Sequence, residues 1–133
     1  EPAIEALARL KSNLDSGIFA AVQEAGIVAL ELPESWIVAR NEIYEKRRDR
    51  VLAALRAMDL NPEVPPASLY VWTPVPDGYD SAAFAAKIIE EAGVIVTPGL
   101  GFGPGGDGYF RISLTTADAR LDEALERLGR LSF

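Results

Sequence analysis

The residues best placed to do chemistry lie between Thr97 and Leu114, in the run TPGLGFGPGGDGYFRISL. Five glycines fall between Gly101 and Gly108. Without a Cβ, backbone can approach a ligand closely or turn where a side chain would clash. The strand-like segment that follows carries one arginine, Arg111. A guanidinium just beyond such a loop can present its planar fork to a carboxylate. Gly101, Gly103 and Gly106 fit G-x-G-x-x-G. Yet the loop joins strand to strand, not strand to helix, so a dinucleotide-binding reading fails its context. Without Gly-Lys-Ser/Thr it is not a Walker loop.

Both features have plainer readings. A glycine-rich stretch between strands is often a flexible surface connection. A strand arginine is ordinarily solvated or ion-paired. Alternation favours the ligand reading: Phe110, Ile112 and Leu114 share one strand face, while Tyr109, Arg111 and Ser113 share the other.

Composition removes most rival chemistries. The 133 residues contain no cysteine and no histidine. Disulfides, thiolate chemistry, Ser-His pairs and the usual zinc or iron ligand sets are therefore absent. The net charge of −7, from 20 acidic and 13 basic residues, disfavours nucleic acid or an anionic membrane as the main partner. No apolar run approaches the ~20 residues of a membrane span, and no signal-peptide pattern opens the chain. The lysines are Lys11, Lys46 and Lys87. Each lies in or beside a helix among solvent-face neighbours, not in the desolvated setting that imine formation requires. The run Lys46 to Arg50 is interrupted by Asp49 and follows Glu42 and Glu45; it reads as a solvated helix face with i,i+4 pairs.

The elements that must position these residues begin with helices. Ile4, Leu7, Ala8 and Leu10 line a short one that breaks at Ser12-Asn13, and Asp15-Ser16-Gly17 reads as a turn. Ile18 to Leu30 forms a strongly apolar second helix ended by Pro33. A long third helix runs from Glu34 to Met58 along a seam of Ile37, Tyr44, Val51, Leu55 and Met58. A proline-rich stretch, 61–68, precedes the strand Leu69 to Thr73, on which Tyr70 and Trp72 share a face and read as core in preference to a ligand-stacking surface. Asp77-Gly78 is a turn, Asp80 or Ser81 caps a fourth helix, and Gly93 ends it. Val94 to Val96 reads as a short strand covered on both faces. The last helix starts near Thr116 and packs through Leu121, Ala124, Leu125, Leu128 and Leu131. The expected fold is α/β (α+β): a small mixed or antiparallel sheet covered by helices. Residues 1–60 form a helical connecting region and 61–133 a small α/β domain. The direct entry into a helical pattern at Glu1-Pro2 reads as part of a longer protein.

Taken together, these residues resemble the C-terminal portion of a fold-type I, pyridoxal-phosphate-dependent class I/II aminotransferase. The tract from Gly93 to Leu114 is similar to that family's C-terminal signature. Pro65 to Trp72 is similar to its P-x-G-x-Y segment, with Ala67 and Ser68 near its usual Gly-Ala. Leu121 to Leu128 matches its closing helix, and Lys11 to Ala25 the segment after its catalytic lysine. Within the family the chain is most similar to bacterial LL-diaminopimelate aminotransferases and close relatives.

The resemblance implies that Arg111 binds the substrate α-carboxylate, that Phe102 and Gly101 line the same mouth, and that Asn13 to Ser16 lie near the active-site edge. It implies a cytoplasmic, homodimeric parent that uses pyridoxal phosphate to move an amino group between an amino acid and a 2-oxo acid. The cofactor lysine, the pyridinium aspartate and the phosphate-binding residues would lie in a large domain outside this chain. No cofactor and no metal are then expected here, and the chain alone would not transaminate. Two other readings stay open on the residues: a non-enzymatic α/β module that senses amino acids, and a dimerisation piece built on the apolar second helix.

Overall fold

A computed structural model describes residues 1–133, which divide into two compact units, Glu1–Val38 and Ala39–Phe133. The division falls inside a helix, upstream of the composition change at residue 61.

The first unit holds α1 (Pro2–Leu14), α2 (Ala20–Leu30) and the start of α3 (Glu34–Ala57). Pro2 sits in the first turn of α1, where a missing N–H costs nothing. Ser12 and Asn13 do not break this helix as their types suggest. Their side chains donate back to the Arg9 carbonyl at 2.9 and 2.8 Å, a local bond compatible with helix, and α1 continues to Leu14. Gly17 then turns the chain at φ +105°, a conformation that glycine alone adopts freely. No residue of α1 or α2 is buried. Leu30 is 89% exposed.

The second unit carries the sheet. Strands β1 (Tyr70–Pro74), β2 (Thr97–Pro98) and β3 (Tyr109–Ser113) lie in the order β1-β3-β2, and both pairings are antiparallel. β1 and β2 are therefore parallel to each other, with α4 (Ser81–Ala92) as their connection and β3 inserted between them. α5 (Asp118–Leu128) follows β3. The core lies on one sheet face, where Val71, Phe110, Ile112 and Leu114 meet Val51 and Leu55 of α3, Phe84 and Ile88 of α4, and Leu121 and Leu128 of α5. Phe84 is fully buried, with ring centroids of Phe110 at 5.1 Å, Phe133 at 4.9 Å and Tyr79 at 5.6 Å. Burial of such a ring contributes about 2–3 kcal/mol. No helix is long and apolar enough to cross a membrane.

Punctuation follows local chemistry. Asp80 caps α4 by accepting the Ala83 N–H at 2.7 Å, and Gly93 ends it at φ +64°. The apolar triplet Val94 to Val96 is not a strand covered on both faces. Val96 is buried but Ile95 is 83% exposed, and pairing with β3 begins only at Thr97. The triplet covers the core with one face and stays outside the ladder.

Candidate functional site

β3 is the central strand, so Arg111 has a neighbour on each side: Trp72 of β1 and Thr97 of β2. Alternation sends Phe110 and Ile112 into the core and leaves Tyr109, Arg111 and Ser113 on the opposite face. The register places Tyr70 and Trp72 on that opposite face too, because their β1 neighbours Val71 and Thr73 are the buried ones. Tyr70 and Trp72 are thus not core residues. They form an aromatic floor around the arginine.

The guanidinium lies between two rings. Its central carbon is 4.0 Å from the Tyr70 ring centroid and 4.6 Å from that of Phe102. Trp72 stacks on Tyr109 at 5.6 Å and meets the edge of Phe102 at 5.6 Å. Stacked cation–π contacts hold a guanidinium flat without using its donors. The Nε of Arg111 is buried and has no hydrogen-bond partner, while its terminal nitrogens have no acceptor within the chain and are not buried. Such an orphaned donor calls for a specific reason.

Other arginines contrast with it. Arg47, Arg48, Arg50, Arg120, Arg127 and Arg130 each hold a carboxylate of this chain, and Arg111 holds none. The Lys46 to Arg50 run is also more than a solvated face. Arg47 grips Asp118 of α5 through two bonds of 3.1 and 3.2 Å and donates to the Leu114 carbonyl at 3.0 Å. Arg50 bonds to Asp118 and to Asp122. The hydrogen bond from Arg47, then that from Arg50, lowers the Asp118 carboxyl from 3.8 to about 2. These bonds tie α3 to α5; only Arg48 pairs locally, with Glu45 and Asp49.

The glycine loop is ordered, not slack. It makes two short 3-10 turns, Gly99–Phe102 and Pro104–Gly106, joined at Gly103 with φ +113°. Gly99 and Gly106 meet backbone to backbone, so a Cβ on either would overlap the carbonyl oxygen of the other. Gly101 faces open space. Phe102 stands beside the guanidinium, whereas Asn13 to Ser16 lie in the N-terminal unit, at the end of α1.

On the sequence Tyr70 and Trp72 read as core, because parity within one strand does not say which face is inward. The loop's anchors are distant in sequence and carry no local signal. Asp107 Oδ1 accepts the N–H of Ser81 at 3.1 Å and of Gly108 at 3.0 Å, and Ser81 Oγ accepts the Leu100 N–H at 3.2 Å.

Residues 1–128 match the family model described as aminotransferase class I and II. Among curated proteins, the LL-diaminopimelate aminotransferase of Moorella thermoacetica is 52% identical over 128 residues, covering 96% of this chain and 33% of that protein. That of Oleidesulfovibrio alaskensis is 51% identical over the same shares. Among solved structures, an aminotransferase from Staphylococcus aureus superposes with a TM-score of 0.86 at 38% identity, over 96% of this chain and 34% of that one. A probable N-succinyldiaminopimelate aminotransferase from Thermus thermophilus gives 0.84 at 34% identity, over 96% and 34%. The chain spans about a third of the length of the curated relatives it matches.

Proposed function

Because this chain belongs to the class I and II aminotransferase family, we propose that it supplies the carboxylate-gripping side of a transaminase active site. Arg111 is the residue that binds the α-carboxylate of an amino acid or 2-oxo acid. Phe102 and Gly101 line the mouth beside it, the first by stacking and the second by leaving space. One observation carries this reading: Arg111 is held flat between Tyr70 and Phe102, opposite the core, with free terminal donors and no internal acid. A bidentate carboxylate would satisfy those donors and orient the Cα–H bond for reaction.

Pyridoxal phosphate is the cofactor implied by the family, and when bound it supplies the electron sink. The residues present do not fit it. Lys11 is exposed and paired with Asp15, Lys46 is exposed, and Lys87 bonds to Glu91 at 2.6 Å. The Glu91 hydrogen bond raises the Lys87 amine above its usual value, opposite to what imine formation needs. We therefore assign cofactor binding to parts of the enzyme outside this chain and the isolated chain to inactivity. LL-diaminopimelate is the proposed amino donor, on the strength of the 51% and 52% identities. A homodimeric, cytoplasmic enzyme is proposed from the family resemblance.

The test is kinetic. In the full-length holoenzyme, Arg111→Ala is expected to lower kcat/KM for amino acids by at least about 100-fold while cofactor absorbance stays intact. Unchanged kinetics would remove the assignment. LL-diaminopimelate should outperform glutamate and phenylalanine as donor, and equal rates would refute the substrate choice. A borohydride-reducible adduct between pyridoxal phosphate and this chain alone would contradict the placement of the cofactor.

A further inference from the structure

We propose that Ser81 and Asp107 are positioning residues for carboxylate recognition, closing the 99–108 loop so that Phe102 is held against the guanidinium of Arg111. The proposal rests on the reading of Arg111 above.

Helix capping alone does not explain the pair. α4 already has a capping carboxylate in Asp80, bonded to Ala83 N–H at 2.7 Å. A second one arrives from the loop, as Asp107 Oδ1 takes the N–H of Ser81. Ser81 is fully buried, so neither its N–H nor its hydroxyl has water as an alternative partner. Its Oγ accepts the Leu100 N–H at 3.2 Å. The Asp107 carboxyl is held below its usual range by the Ser81 N–H first, the Ser81 hydroxyl second and the Gly108 N–H third. One buried serine thus ties the start of the loop, at Leu100, to its end, at Asp107.

Between those ties the backbone has little freedom. Gly99 and Gly106 are in contact, and two 3-10 turns span the interval. Phe102 lies inside it. The residue is 54% exposed, so burial alone does not hold the ring in place. Its two ring-side neighbours are Arg111 at 4.6 Å and Trp72 at 5.6 Å. The loop backbone fixes where the ring starts from, and its contacts with Arg111 and Trp72 complete its placement. With Arg111 Nε shut away, the edge left for a ligand is the one carrying the terminal nitrogens, and the Phe102 ring covers one face of that plane. Loosening the clamp lets ring and fork drift together.

The readout is the preference of the full-length holoenzyme for an amino acid over its carboxamide. Ser81→Ala and Asp107→Ala are expected to reduce that preference about tenfold, raising KM more than they lower kcat. Asp107→Asn keeps an acceptor for the Ser81 N–H and is expected to retain most of the preference. If both alanine variants weaken carboxylate and carboxamide substrates equally, the pair only supports the fold and the proposal falls. Arg111→Ala separates the two levels: a preference that survives it overturns the reading of Arg111 itself. Should an alanine variant fail to fold, Phe102→Leu decides, since it leaves the clamp intact. A reduced preference supports the route through Phe102, and an unchanged one overturns it.

Discussion

The guanidinium of Arg111 lies 4.0 Å from the ring centroid of Tyr70, although the two are not direct partners in the ladder. Tyr70 pairs with Ser113 and Arg111 with Trp72, so this is a diagonal contact, within reach of long and aromatic side chains. Tyr70→Phe keeps the ring and is expected to leave KM for amino acids within about twofold. Tyr70→Ala removes one wall of the stack, worth about 0.5–2 kcal/mol, and should raise KM about tenfold. Equal KM values for the two variants would refute a positioning role for the ring.

The glycines of the loop are expected to differ sharply from one another. Gly99→Ala or Gly106→Ala drives a Cβ into a carbonyl oxygen across the loop, and backbone cannot yield as a side-chain tip can. Each should lower the urea unfolding free energy by about 3 kcal/mol or more. Gly101→Ala meets nothing within 4 Å and should be neutral or stabilising by about 0.5 kcal/mol. If Gly101→Ala keeps stability but weakens substrate binding, the open space at Gly101 serves the ligand.

Asp118 gives the unit an acid-sensitive tie. Its carboxyl is lowered from 3.8 to about 2, chiefly by Arg47 and then Arg50. A depressed folded-state value stabilises above about pH 4 and loses that contribution as pH falls toward 2. The stability gap between wild type and Asp118→Asn, read from urea midpoints, should therefore shrink across that window. It should also shrink in 1 M salt, because Asp118 is 56% exposed. A gap independent of both pH and salt would exclude the ion pairs as its source.

Phe84 anchors the opposite sheet face through the rings of Phe110, Phe133 and Tyr79. Phe84→Ala is expected to cost about 3–5 kcal/mol in chemical unfolding. A loss below about 1 kcal/mol would mean the site collapses around the missing ring.

Much of the fold was legible from short-range pattern. Alternation along Tyr109 to Leu114 already separated Arg111 from Phe110, Ile112 and Leu114. A cap at Asp80 or Ser81 and a stop at Gly93 were equally local, because a cap or a left-handed residue is read from its own neighbours. Ser12 and Asn13 misled because the same side chains that end helices can bond backward within one.

What the residues by themselves determined was periodicity, punctuation and the chemistry available: one fork beside a glycine loop, with no histidine or cysteine to compete. Tertiary structure decided which groups meet. Tyr70 and Trp72 joined the arginine's face only through the β1–β3 register, and a one-residue shift would have turned them to the other side. Arg47 and Arg50 found Asp118 and Asp122 across 71 and 72 residues, and Ser81 found Asp107 across 26. Local dihedral preferences act within a few residues, whereas such pairings exist only once chain closure has brought distant segments together.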